Sequence, residues 1–410
     1  MFKPGHVDED GHHPMTEFRG TSDLAYQFLT ELLATPWDTP SLRAVDGLGA
    51  AIGTHLGQRR TRNEDRSLLA QVNCPNGQIY TVAAVCDGVG GSEMGDAAAT
   101  TALVALVDQI AQLKRRLPAR DLIVRLVRRM DDVIRESLSG RGTTTASIWI
   151  CSDDGDAAAV NVGDSRIFSW SAGRDLIQLS TDDTLENELK GLDIKDPTVL
   201  NVRGLKGSLS QALGQAGRTS ADLHLNVIPK ERFGDAGLVL ASDGIWKGSE
   251  GGFTAIAKHA SSPLELVRRA LTLAAWCGGL DNASIVALKD VSDRRLFVQQ
   301  RKYLYSAPVV TAWYGDTKVI LREGGLTAGE HVNLGVNAAP ARPLGDEEPS
   351  PGPKEQKKKV RRKSRKSDNK NPQLDLTEPE AQLHRHTPAR PKVEISTGND
   401  SKKEDSTNED

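Results

Sequence analysis

At 410 residues the chain is long enough for one large domain with extensions, or for two domains. Its formal charge of −3 is close to balance, so net charge argues for neither a nucleic acid nor a membrane surface as partner, although basic residues gather towards the C-terminus. Cys74, Cys86, Cys151 and Cys277 form no C-x-x-C pair, no run reaches the roughly 18 apolar residues of a membrane span, and Met1 to His6 lacks a secretory apolar core, so a soluble cytoplasmic protein with reduced cysteines is expected.

Residues 1–46 read as an N-terminal extension with one amphipathic helix, Asp23 to Ala34, capped by Thr21 or Ser22 and stopped by Pro36. His6, His12 and His13 lie in a polar stretch that reads as a solvated terminus or as a weak metal binder. Strands are expected at 67–72, 79–86, 146–151, 157–162, 166–170 and 238–241. Helices are expected at 95–113, 119–138 and 263–276. In the second of these Leu122, Leu126, Met130, Val133 and Ile134 form the apolar face, and Arg125, Arg128, Arg129 and Arg135 the solvated one. Paired strands with helices between them predict α+β layering, not a doubly wound parallel sheet.

Segment 182–220 is polar, rich in Gly, Asp and Lys, and long enough to form a flap beside a site. The expected divisions are the extension 1–46, a folded domain 47–293, a segment 294–345 of open packing, and a disordered charged tail 346–410. Tyr303, Tyr305, Trp313 and Tyr314 mark the third piece, with a β-like run at 317–321. The basic run 354–370 reads as a solvated tail or as a tether to an acidic partner.

Four strings place a carboxylate at the edge of an apolar run: Val85-Cys86-Asp87-Gly88, Asn161-Val162-Gly163-Asp164, Ala241-Ser242-Asp243-Gly244 and Asp281-Asn282-Ala283. Singly, each reads as a tight turn, because Asp bonds its own backbone and Gly accepts positive φ. Together, acids at strand ends can converge on one sheet edge, where they repel one another unless cations lie between them. Upstream, Gly57 to Asp65 offers Arg59, Arg60 and Arg62 beside Glu64 and Asp65. Arginine suits a phosphate's two-oxygen geometry, and carboxylates suit a metal.

The ordered series Gly57 with Arg60 and Asn63-Glu64-Asp65, Asp87-Gly88-Val89-Gly90-Gly91, Gly142-Thr143-Thr144, Gly163-Asp164-Ser165-Arg166, Ser242-Asp243-Gly244 and Asp281-Asn282 resembles the metal-dependent protein phosphatases (PPM, type 2C), in particular bacterial serine/threonine phosphatases. Leu179 to Thr184 and Leu209 to Gly214 add weaker support, and the likeness spans roughly residues 49–290. The resemblance implies a four-layer αββα sandwich of two antiparallel sheets, with a dinuclear site at one end of domain 47–293. By the same likeness Asp87 bridges two ions, the Gly88 carbonyl binds one, and Asp243 and Asp281 complete the other. Glu64 and Asp65 act mainly through water, Asp164 with Asp243 could hold a third ion, and Arg60 binds phosphate.

An all-oxygen donor set favours Mn²⁺ or Mg²⁺ over Zn²⁺. The implied reaction is hydrolysis of phosphoserine or phosphothreonine by direct attack of a metal-bridging hydroxide, the two ions lying about 3.5–4 Å apart. A phosphoprotein would be the substrate, opposed by a serine/threonine kinase, and the folded domain implies no nucleic-acid partner. The alternative is a catalytically weak phosphoprotein-binding scaffold on the same fold. Three departures stand out: Val89 where eukaryotic members carry histidine, Asp183 where histidine is common, and segment 185–207, which aligns with nothing.

Overall fold

The computed structural model describes residues 22–90, 92–191, 207–291 and 307–324. The chain divides into two units, 1–334 and 335–410, and every described residue belongs to the first. His6, His12, His13, Gly91, Tyr303, Tyr305, the run 354–370 and most of segment 185–207 lie outside the described residues.

Two sheets dominate. One runs in the order β1 (Ser41–Val45), β2 (Ala50–His55), β11 (Ala283–Leu288), β10 (Gly237–Ala241), β7 (Arg166–Trp170), β8 (Ile177–Gln178). The other runs β13 (Thr317–Arg322), β12 (Val309–Tyr314), β3 (Arg66–Asn73), β4 (Ile79–Cys86), β5 (Ala146–Ser152), β6 (Ala157–Val162), β9 (Val227–Pro229). The strand pairings are antiparallel throughout.

Period-two alternation explains why the central strands are buried on both faces. In β4, Tyr80, Val82, Ala84 and Cys86 join a core under one helical layer, while Ile79, Ala83 and Val85 join the core between the sheets. In β10, Leu238 and Leu240 face that inter-sheet core, and Val239 and Ala241 face the opposite helical layer. Helices α1 (Asp23–Ala34), α2 (Gly95–Ala111) and α3 (Ala119–Ser137) form the first layer; the helices Glu250–His259 and Pro263–Trp276 form the second. The αββα sandwich is thus present, as the α+β reading expects.

Helix α2 is Ala-rich and buried nearly all round, because it lies between the sheet and helices α1 and α3. Helix α3 is amphipathic: Leu122, Leu126, Met130 and Ile134 are buried, and Arg125, Arg128 and Arg129 are exposed. Arg135 departs from the expected solvated face, since it bonds Asp131 at 3.2 Å and the Arg218 carbonyl at 3.1 Å.

Packing reaches past residues 46 and 294 at both ends. Helix α1 starts at Ser22, whose hydroxyl accepts from the Ala25 N–H, and it buries Leu24, Phe28 and Leu32. Strand β1 pairs with β2, and β12 pairs with β3 so that Val310 lies opposite Val72. Cys74, Cys86 and Cys151 are buried free thiols.

Candidate metal centre

Register places the acidic strings at one end of the sandwich. Arg66 lies opposite Cys86, Val85 opposite Ser147, and Ala146 opposite Val162 in one sheet. In the other, Ala241 lies opposite both Arg166 and Ile285, and Ala283 opposite His55. The loops before β3, after β4, between β6 and β7, after β10 and before β11 therefore share that end. They carry Glu64 and Asp65, Asp87 and Gly88, Asp164, Asp243, and Asp281 respectively.

Asp87 is at the centre of the group. Burial, then the charges of Asp65, Asp164 and Asp281, push its carboxyl well above the usual range, and Lys247 opposes that shift. Its backbone is fixed by the threonine string: the Asp87 N–H donates to Thr145 Oγ1 at 3.0 Å, and the Asp87 carbonyl accepts from the Thr145 N–H at 2.8 Å and Thr144 Oγ1 at 2.9 Å. Gly88 packs directly on the start of α2, where a Cβ would lie 2.5 Å from the Gly95 carbonyl. Any side chain at 88 would push the Asp87–Gly88 turn off the helix.

Asp65 is fully buried, and one oxygen, Oδ2, accepts from the Ser242 hydroxyl at 2.7 Å. Burial raises its pKa to about 6. The adjoining turn is tied by Asn282, whose Oδ1 accepts from the Glu64 N–H at 2.9 Å. The Asn282 side-chain amide donates to the carbonyls of Leu56 at 2.7 Å and Arg62 at 3.0 Å. Glu64 is half-buried, and burial and Asp96 raise its pKa. Arg66 secures the same turn by donating to the carbonyls of Asn63 and Asp65, both at 2.8 Å.

Two cations meet the acids. The Arg60 guanidinium grips Asp281 through Nε and Nη2, both at 2.8 Å, and this hydrogen bonding raises its own pKa. Gly90 lies beneath it, where a Cβ would stand 3.0 Å from an Arg60 nitrogen. The Lys247 ammonium contacts Asp243 Oδ2 and lies 3.3 Å from Asp164 Oδ2. Arg59 and Arg62 take other partners: the Arg59 N–H donates to the Gly279 carbonyl at 3.1 Å, and Arg62 pairs with Asp96 at 3.3 Å.

The donors fit a divalent cation in kind. Every candidate atom is oxygen, and the buried oxygens Asp65 Oδ1 and Asp243 Oδ1 have no hydrogen-bond partner. Among the described residues no three Asp, Glu, His or Cys side chains are grouped closely enough to hold one ion as placed, with Asp281 held by Arg60 and Asp243 by Lys247.

Sequence reasoning passed over Lys247 and Asp131, and it singled out Asp183 and Val89 without assigning either a position in the site. Lys247 stands four residues after Asp243, a helical spacing that signals the pair. Buried Asp131 on α3 accepts from the Gly214 N–H at 2.8 Å and from Arg218 at 3.0 Å. It thereby anchors the loop whose Leu213 exchanges backbone hydrogen bonds with Thr144 at 2.9 and 3.1 Å. Asp183 accepts from the Gly163 N–H at 2.9 Å and from Gln211 at 2.8 Å, so it fixes the turn leading to Asp164. Val89 is bonded through its N–H to the Thr143 carbonyl at 3.0 Å and offers no titratable side chain.

Residues 52–250 match the family described as Protein phosphatase 2C. No curated protein matches the chain. Among solved structures, the chain is similar to the PPM Ser-Thr phosphatase MsPP of Mycobacterium smegmatis in complex with cacodylate, at 25% identity over 58% of this chain and 97% of that one, with a TM-score of 0.47. It is also similar to the Mycobacterium tuberculosis serine/threonine phosphatase PstP/Ppp, at 21% identity over 61% and 98% of the two chains and a TM-score of 0.47. The S. agalactiae serine/threonine phosphatase gives 24% identity over 58% and 98%, with a TM-score of 0.48. The matched segment, just under half of the chain, carries Glu64, Asp65, Asp87, Asp164 and Asp243, so this part of the αββα sandwich is similar to the protein phosphatase 2C family.

Proposed function

We propose that the chain hydrolyses phosphoserine and phosphothreonine in proteins with the help of divalent ions, Mn²⁺ or Mg²⁺. The observation that carries this reading is Asp87 set among Asp65, Asp164 and Asp281, beside two buried carboxylate oxygens that lack partners. Asp87, the Gly88 carbonyl, Asp243 and Asp281 would hold the ions, with Glu64 and Asp65 orienting waters around them. Bound there, such ions would supply Lewis acidity, a water of lowered pKa and charge neutralisation at phosphorus.

The side chains supply the rest. Arg60 presents the planar two-nitrogen fork that a phosphoryl group requires, and it now bonds Asp281 in that same geometry. A bound phosphoryl group competes with Asp281 for that fork, so substrate entry and Arg60 release are linked. Hydrolysis forms one P–O bond from water and breaks the bond to the serine or threonine oxygen, which takes up a proton. Val89 cannot supply that proton, so it comes from solvent held in the site. Asn282, Ser242 and Thr145 position the loops that carry the acids.

The test is phosphate release from a phosphothreonine peptide by the purified full chain. Turnover should require Mn²⁺ or Mg²⁺ and stop with EDTA. A folded protein that binds the phosphopeptide without turnover would instead support the scaffold reading.

A further inference from the structure

The Asp164–Asp243 pair carries its own cation. Both residues are almost fully buried, at 7% and 5% exposure, and two ionised carboxylates placed so closely repel unless a positive charge lies between them. Lys247 supplies it: its Nζ contacts Asp243 Oδ2 and lies 3.3 Å from Asp164 Oδ2. The lysine is well placed to do so. Its N–H donates to the Asp243 carbonyl at 2.8 Å, closing the turn that begins at Asp243, and its ammonium lies 6.0 Å from the centre of the Trp246 ring. That ring is itself pinned by the Arg166 guanidinium at 3.5 Å, and Arg166 is locked to Asp182 at 2.7 Å and Glu250 at 2.9 Å.

Asp243 consequently has two different oxygens. Oδ2 is engaged by Lys247, whereas buried Oδ1 has no partner. The first serves the pair with Asp164, and the second is left without a hydrogen-bond partner. The geometry points to Lys247 as a tethered replacement for a third metal ion: the ammonium neutralises Asp164 and Asp243, so the site takes up two divalent ions and no more. This inference rests on the metal-dependent reading above and assigns its stoichiometry. A covalently attached charge is present at any metal concentration, so its contribution does not depend on saturating a weak site.

The experiment counts Mn²⁺ bound to the full chain by equilibrium dialysis, with free Mn²⁺ followed by electron paramagnetic resonance. Wild type is compared with Lys247→Gln, Lys247→Asp and Asp164→Asn. Lys247 has a side chain 41% exposed, so its neutral replacement can be accommodated. The expected result is two ions on wild type, two on Asp164→Asn, and an additional weaker ion on Lys247→Asp. Lys247→Gln, which leaves the two acids without their cation, should gain the same ion with lower affinity. Three ions on wild type, loss of an ion in Asp164→Asn, or no gain in either lysine variant would overturn the proposal. Failure of wild type to bind any Mn²⁺ would instead remove the metal-dependent reading on which it stands.

Discussion

Arg60 and Asp281 are joined by two parallel hydrogen bonds, Nε to Oδ1 and Nη2 to Oδ2, each 2.8 Å long. The arginine proposed to bind phosphate is thus parked on an acid proposed to bind metal, and on that proposal either ligand would separate the two. Charge-assisted hydrogen bonds contribute about 1.5–3 kcal/mol each, so the pair is a substantial latch. Arg60→Ala should raise KM for a phosphothreonine peptide by about 10–100-fold while changing kcat less, and should tighten Mn²⁺ binding by freeing Asp281. Steady-state kinetics with calorimetric Mn²⁺ titration checks both parts. Arg60→Lys should not restore KM, because a single ammonium cannot make the two-point contact.

Asn282 is expected to matter for stability as much as for activity. Its side chain joins the Leu56 and Arg62 carbonyls to the Glu64 N–H, holding the turn that carries Arg60, Glu64 and Asp65. Asn282→Ala removes these three hydrogen bonds and should cost about 2–4 kcal/mol in urea unfolding. Turnover should fall as well, since the turn is no longer fixed against β11.

Asp183 gives a pH signature. Burial lifts its pKa to about 6, against the opposing hydrogen bonds from Gln211 and Gly163. An acid raised in the folded state contributes stability fully below its unfolded pKa near 3.8 and loses that contribution as pH rises through about 6. Relative to Asp183→Asn, wild type should therefore lose about 2 kcal/mol between pH 4 and pH 7. Denaturant midpoints of both proteins across that range measure it; a difference independent of pH would contradict the assignment.

Much of this arrangement was legible because it is local. The bounds of α1 follow from Ser22 and Pro36, and β4 and β6 follow from apolar runs that end at Asp87 and Gly163. The ordered acids were readable because each closes or opens a strand. Other features depend on partners distant in sequence. Strand β12 was not placed, because its neighbour β3 lies more than 230 residues upstream and nothing in Val309–Tyr314 names it. The helix Glu250–His259 was obscured by Gly251 and Gly252, which lower helix propensity although the Ser249 cap and buried Phe253 and Ala257 sustain it. Lys247 drew no notice, since its meaning arises only when the chain brings Asp164 beside Asp243.

The charged tail is expected to be dispensable for chemistry. Removing residues 346–410 should leave kcat and KM for a small aryl phosphate unchanged, because the acids and Arg60 are all held by contacts among residues before 291. Steady-state kinetics on the shortened chain checks this, and a marked fall would tie the tail to the site.

The most direct measurement is phosphate release from a phosphothreonine peptide by Asp87→Asn and wild type at saturating Mn²⁺, with folding of both followed by circular dichroism. Asparagine keeps the shape and the backbone bonds to Thr144 and Thr145 but removes the charge around which Asp65, Asp164 and Asp281 are gathered. The account predicts a loss of about 10²–10³-fold or more with the fold intact. Turnover by folded Asp87→Asn at the wild-type rate would contradict it.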